Sequence, residues 1–335
     1  MQNHILIYNR IPKFKKKIEV SSDKSLSIRS VLLASQAVGR SKISNLLDSE
    51  DVQNALKTIK KLGIVYKKQK NFYEIHGFGL NGFSIKKNLV IDAGNSGTLA
   101  RLILGLLVKS NFKIKLIGDK SLSRRDFSRV IYPLKLFGVN IKSKNGSLPV
   151  EIIGTNFLRP ISFTENKSSA QIKTCLIFCA LNSPGTSFIK AKKSRNHTEL
   201  LLKYLKYPIQ IKSKGEYDYI KVKGLNQFSA FNYTVPGDIS SATFFIILTL
   251  LSKKSEIVIK KVNINKTRIG IIKILNLMNA KIRLKNKKIY KGEEIGDIVV
   301  KSRKGLKSIN CPRHFNSKAI DEFLLIFLVS AKSKG

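Results

Sequence analysis

The chain has 335 residues and a formal net charge of +41, from 62 Lys and Arg against 21 Asp and Glu, and 43% of its residues are hydrophobic. That hydrophobic share argues against a disordered chain, the longest apolar stretches (243–251 and 323–329) fall far below the ~20 residues of a membrane helix, and the length calls for two cores rather than one. Three cysteines, four histidines and no CxxC or HExxH spacing argue against a disulfide scaffold or a metal site and for a reducing compartment, the cytoplasm.

The first predicted element is a strand, HILIYN (4–9), which precedes every repeat and, having no module of its own, is expected to pair with the last domain. The residues around it carry no apolar core or cleavage site of a secretory signal. One pattern then recurs. A small polar or acidic residue opens an apolar run of helical length at Ser27, Ser96, Ser169, Ser241 and Asp321, in steps of 69, 73, 72 and 80 residues. A second helix follows in phase and ends in a turn and strand at Gly63, Gly138, Pro208 and Asn279. This period is too long for solenoid units of ~20–50 residues, and each repeat can hold a strand–helix–strand–helix–strand module. In the second repeat, NLVIDAG and FKIKLIGD read as strands, and RRDFSRVIYPLKLFG as a helix with apolar residues at 127, 130, 131, 134 and 137 on one face. Gly138 sits where a left-handed C-cap belongs. Five first halves against four second halves predict a fifth module cut after its first helix, and a domain boundary is expected near Pro236.

The positive charge fits either a polyanion such as nucleic acid or a genome biased toward lysine, asparagine and isoleucine. The lysines are scattered through every repeat, with no basic arm and no aromatic platform interleaved with them, which favours the second reading. Such a field still steers anionic small molecules. The helix starts are the places to receive them, with free N–H groups and Lys24, Arg29, Arg101 and Lys173 in or near the first turns. For any one helix, Ser and Asp here are ordinary N-caps; three starts converging would make a phosphate or carboxylate site. DAGNSG matches neither the P-loop nor the dinucleotide glycine spacing. His197 reads as a capping or surface residue, and Cys175 and Cys179 as small core residues.

Several stretches carry a resemblance: DKSLSIR (23–29), LLDSEDV (46–52), DAGNSGT-R (92–101), GDKSLSRR (118–125), SSAQIK (168–173), SRNHTE (194–199), VPGDISSA (235–242), N-KTR-G (265–270) and IDEF (320–323). In this order and spacing, the chain resembles the EPSP synthase family, the 3-phosphoshikimate 1-carboxyvinyltransferases. The resemblance implies an α/β fold (α+β in some schemes) of two domains, each of three βαβαββ units with threefold pseudosymmetry. It implies a complete domain at 18–235, and a second, incomplete one from 1–17 plus 236–335. It also implies transfer of the enolpyruvyl group of phosphoenolpyruvate to the 5-hydroxyl of shikimate 3-phosphate by addition–elimination, in the pathway to aromatic amino acids. No cofactor or metal is expected, and the protein is expected to be a cytoplasmic monomer with small-molecule substrates and no membrane or nucleic-acid partner.

Carried over position by position, the resemblance implies that Lys24 touches both substrates and is catalytic. Ser25, Arg29, Ser169, Ala170, Gln171 and Arg195 would hold shikimate 3-phosphate. Gly97, Arg125 and Gln171 would hold phosphoenolpyruvate. Asp321 would be the carboxylate on the 5-hydroxyl and the base. Arg101 and Asn95 would have a supporting role, and Glu322 a structural one. Ile28 replaces the family's usual His or Asn, and Asn196 its common Asp. The family's KESDR-like motif, later His-Arg motif and near-terminal Lys have no counterpart by Gly335, so impaired turnover by a truncated chain is expected. The sister transferase acting on UDP-N-acetylglucosamine shares the fold but uses a loop cysteine, and 111–128 contains none. A nucleic-acid-binding or RNA-end-processing protein of related fold, or an inactive remnant, are the other readings.

Overall fold

A computed structural model describes residues 11–335; the HILIYN strand lies outside the described residues. In chain order, β1 (Lys15–Ile18) leads to the first module: α1 (Lys24–Gln36), β2 (Val38–Ser44), α2 (Glu50–Lys61), β3 (Val65–Lys68) and β4 (Phe72–Phe78). The second is β5 (Leu89–Asp92), α3 (Gly97–Leu104), β6 (Ile114–Ile117), α4 (Ser128–Leu136), β7 (Asn140–Ser143) and β8 (Val150–Ile153). The third is β9 (Ser162–Glu165), α5 (Ala170–Asn182), β10 (Thr186–Lys192), α6 (His197–Tyr204), β11 (Ile209–Lys214) and β12 (Tyr217–Lys223). After β13 (Asn232–Thr234), the fourth has α7 (Ile239–Leu251), β14 (Glu256–Asn263), α8 (Gly270–Leu277), β15 (Arg283–Tyr290) and β16 (Glu293–Lys301). Helices α9 (Asn316–Ala319) and α10 (Phe323–Ser330) follow.

The chain divides into two compact units. One holds Ser22–Pro236 with the turn Tyr290–Glu293; the other holds 11–21, Gly237–Ile289 and Glu294–Gly335. Each has its own hydrophobic core. Among the described residues, four sheets share one plan. A parallel edge strand pairs with the strand after the first helix, and the next pairings are antiparallel: β13-β2-β4-β3, β5-β6-β8-β7, β9-β10-β12-β11 and β1-β14-β16-β15. The first and fourth modules have exchanged their edge strands. β1 precedes α1 in sequence but runs parallel to β14, Lys15 opposite Glu256, and β13 precedes α7 but runs parallel to β2, Asn232 opposite Lys42.

The two helices of each module differ for a sequence reason. The second is amphipathic: α2 buries Val52, Ala55, Leu56 and Ile59 at 3–4 spacing, with Glu50 and Asp51 in its first turn and Lys60 and Lys61 in its last, which suits the helix dipole. The first is buried all round in the larger unit: 11 of 13 residues are buried in α1 and 11 of 13 in α5. The serines of α1 enter that core because Ser30 and Ser35 donate to the carbonyls of Ser27 and Leu32, leaving no unpaired hydroxyl. Gly138 adopts φ +96, as its place after α4 requires. The helix expected from Arg124 starts only at Ser128. Arg124 closes a 3₁₀ turn, and the Asp126 carboxylate accepts from the Ser128 N–H at 2.7 Å, turning the chain before the helix.

Candidate active site

The first helices of the three modules in the larger unit are tied side to side near their N-termini. Asp23 caps α1, its carboxylate accepting from the Leu26 N–H at 2.9 Å, so Lys24 stands at the first helical position. Lys24 is half exposed and pairs with Asp51 in the first turn of α2 at 2.7 Å. One turn on, Arg29 is 3% exposed. Its Nε donates to Thr198 Oγ1 of α6 (3.0 Å), Nη2 to Thr174 Oγ1 of α5 (3.3 Å) and Nη1 to the Ser25 carbonyl (3.1 Å). Burial pushes the guanidinium pKa down to about 10, and Glu199 is the strongest opposing influence. Arg195, half-buried in the turn before α6, lies near enough to lower it further.

A second cationic cluster sits at the start of α3. Ser96 caps the helix, accepting from the Leu99 N–H at 3.3 Å. A side chain at Gly97 would put its Cβ 3.0 Å from Nη1 of both Arg101 and Arg125, so two guanidiniums face this glycine. Arg101 donates to Gln171 Oε1 (3.0 Å), to the Gly97 carbonyl (3.3 Å) and to the Asp126 carbonyl (3.0 Å), and stacks 4.8 Å from the Phe127 ring. Burial and then repulsion from Arg125 lower its pKa. Gln171 also donates to Thr98 Oγ1 at 3.0 Å, which joins α5 to α3. Arg125 donates to Asn95 Oδ1 (3.3 Å), and Asn95 in turn donates to Asp119 (2.5 Å). The Leu122 N–H and Asn95 together hold the Asp119 carboxyl below its ordinary range.

The structure thus joins Ser25, Arg29, Gly97, Arg125 and Gln171 through α1, α3 and α5. Ser169 lies in the same helix start as Gln171, caps α5 with a 3.3 Å bond from the Ile172 N–H, and is itself fixed by Glu165; Ala170 opens the helix. Asp321 belongs to the smaller unit, exposed in a 3₁₀ turn over Ile320–Glu322. Within that unit Arg268 donates to Asp238 (2.9 Å) and Ser240 (2.8 Å), and Ser240 donates to the buried Glu322 carboxylate. The motifs VPGDISSA, N-KTR-G and IDEF are therefore knitted together by side-chain bonds, and Glu322 is structural.

Three sequence readings need correction. Lys173 is fully buried and pairs with Glu199 at 2.7 Å, with Asp218 at 3.9 Å, so it is no anion-binding residue at a helix start. His197 is neither a cap nor at the surface; it is 1% exposed and its Nδ1 lies 2.7 Å from Glu293 Oε1. An aromatic and basic face does exist: on the outer face of the third sheet Lys190 stands opposite Tyr219 and Phe188 opposite Lys221, with Lys190 Nζ 4.6 Å from the Tyr217 ring. Tyr217, Tyr219 and Lys221 alternate on the outward face of YDYIKVK, and strand pairing adds Phe188 and Lys190 beside them. Thr198 and Asp51 carry no motif signal beyond their places in SRNHTE and LLDSEDV, and Thr174 directly follows SSAQIK, outside it.

The model of the EPSP synthase family, 3-phosphoshikimate 1-carboxyvinyltransferase, matches residues 9–335. The 3-phosphoshikimate 1-carboxyvinyltransferase of Ruthia magnifica subsp. Calyptogena magnifica is 41% identical over 320 residues, which are 95% of this chain and 72% of that protein. That of Hydrogenovibrio crunogenus is 37% identical over 325 residues, 96% of this chain and 73% of its own. The solved structure of EPSP synthase from Acinetobacter baumannii superposes with a TM-score of 0.87 at 34% identity, covering 96% of this chain and 72% of that one. With a family match over nearly its whole length, relatives at this identity and the same fold, the chain belongs to the EPSP synthase family.

Proposed function

We infer that the chain works on phosphoenolpyruvate and shikimate 3-phosphate, moving the enolpyruvyl group to the 5-hydroxyl of the latter with release of phosphate. The observation that carries the reading is the pairing of two cationic clusters on adjoining helix starts, buried Arg29 with half-buried Arg195 nearby, and half-buried Arg101 with exposed Arg125 across Gly97. Two anionic substrates require two such sets, preorganised so that each charge is held ready for an oxyanion. In this reading Arg29, Arg195, Ser25, Ser169, Ala170 and Gln171 take shikimate 3-phosphate. Arg125, Gln171 and the open backbone at Gly97 take phosphoenolpyruvate, and Arg101 orients Gln171.

The chemistry follows from what must move. The 5-oxygen attacks C2 of the enol while C3 gains a proton, giving a tetrahedral ketal phosphate. Loss of phosphate from C2 and of a proton from C3 restores the double bond. Lys24 stabilises the charge that develops, its ammonium handed over from Asp51, and Asp321 takes the hydroxyl proton. Residues 18–235 would be the domain that grips the phosphorylated acceptor, and 1–17 with 236–335 the second domain. The protein would act as a cytoplasmic monomer; among the described residues no helix is long and apolar enough to cross a membrane.

Phosphorus NMR on the purified chain with both substrates tests the reading. Phosphoenolpyruvate should give orthophosphate, or its resonance should broaden, only when shikimate 3-phosphate is present. Equal response to UDP-N-acetylglucosamine, or a response indifferent to the acceptor, would overturn it.

A further inference from the structure

We propose that Thr198 and Thr174 are positioning residues that turn the Arg29 guanidinium so that its end-on pair of N–H groups faces the substrate; this rests on the assignment of Arg29 to shikimate 3-phosphate. Arginine has five N–H donors in two forks, one side-on (Nε and Nη2) and one end-on (Nη1 and Nη2). Thr198 accepts from Nε at 3.0 Å and Thr174 from Nη2 at 3.3 Å, which fills the side-on fork with two hydroxyls from two different helices. The Ser25 carbonyl accepts one N–H of Nη1 at 3.1 Å. One N–H on each terminal nitrogen remains, and together these form the edge that grips an oxyanion bidentately.

The threonines have the features of a device rather than of core packing. Both are buried, Thr198 at 0% and Thr174 at 1% exposure, where valine has the same shape and no hydroxyl to satisfy. Their hydroxyls lie 2.9 Å apart, and among the described residues they bond only each other and Arg29. That mutual bond fixes one hydroxyl as donor to the other and leaves lone pairs toward the guanidinium. An Arg29 released from this pair would rotate about its last torsions, and its free edge would lose its aim. Two modules meet here, since Arg29 is on α1 of the first and Thr174 and Thr198 are on α5 and α6 of the third, so the arrangement fixes their mutual placement through a binding residue.

The test uses the full 335-residue chain with Thr198→Val, Thr198→Ser and Thr174→Val. Two quantities are read: the exchange protection of the Arg29 Nε–H by nitrogen-15 NMR, and the dissociation constant of shikimate 3-phosphate by calorimetry. We expect a protected Nε–H in the parent chain and in Thr198→Ser, and rapid exchange in Thr198→Val. Affinity should fall about tenfold or more in Thr198→Val, as for a lost bond to a charged group, and return to within about twofold in Thr198→Ser. Thr174→Val should lose less, and serves if Thr198→Val does not fold. A protected Nε–H and unchanged affinity in both valine variants would overturn the proposal. If the valine variants free the Nε–H while the folded parent chain binds no shikimate 3-phosphate, the orienting role stands and the assignment of the site falls.

Discussion

Helices α5 and α7 carry nearly the same instructions and meet different fates. Each has 13 residues, a capping Ser or Asp, and apolar side chains on every face. In the larger unit α5 is wrapped by α3, by α4 and by its own sheet, and 11 of its residues are buried. In the smaller unit α7 buries seven, and Phe244 is 63% exposed. Helix α10 goes further, burying only Ile326 and Val329 while Leu324 is 82% and Phe327 60% exposed. A helix that is apolar all round calls for neighbours all round, and only the larger unit supplies them. The smaller unit therefore presents a sticky surface, of the kind that marks association or aggregation.

The largest effect that would sharpen this contrast lies in the larger unit's enclosed core. Lys173→Met should cost about 3–5 kcal/mol, because it strands the Glu199 carboxylate without water. The double change with Glu199→Leu should recover most of that loss in denaturant unfolding; additive losses would break the account. Next, Leu176→Ala on α5, fully buried, should cost about 2–5 kcal/mol, whereas Leu324→Ala on α10 should stay within about 0.5 kcal/mol. Equal losses would mean that the α10 face is covered in solution.

Smaller effects probe the two cationic clusters. Gly97→Ala should weaken phosphoenolpyruvate about five- to tenfold and shikimate 3-phosphate less, since its Cβ meets the ends of Arg101 and Arg125 at 3.0 Å and displaces them; the size is that of one charge-assisted bond. Calorimetry with each ligand reads the difference. The smallest effect is in acid. Because the folded state depresses the Asp119 pKa, its contribution is whole above the ordinary carboxylate range and is lost as pH falls through the lowered value. Asp119→Asn should flatten that acid limb of stability and loosen Arg125 through Asn95; an unchanged limb would show that Asp119 is not what holds the loop.

Much of the fold was legible because repetition exposes it. A recurring apolar helix, a C-cap glycine and alternating strands such as YDYIKVK read directly as one module. The placing of the N-terminal stretch with the last domain was anticipated, but the pairing of β13 with β2 was not legible, because parallel pairing across 190 residues leaves no local trace. At the site, Lys24, Arg29 and Arg101 stood out as basic positions near helix starts, but Lys173 fell in the same pattern and is a core ion pair. Charge type is visible in sequence, while the face of the helix that a charge occupies is not, when apolar residues fill all faces. The partners that aim the arginines, Thr174, Thr198 and Asn95, are small polar residues whose importance depends on what lies beside them in space.

The most direct test of the central claim is calorimetric binding of shikimate 3-phosphate to the 335-residue chain, with unphosphorylated shikimate as control. The account predicts binding that depends on the phosphate and is abolished by Arg29→Ala and by Arg195→Ala. Equal binding of both compounds, or none by a chain folded by circular dichroism, would contradict it.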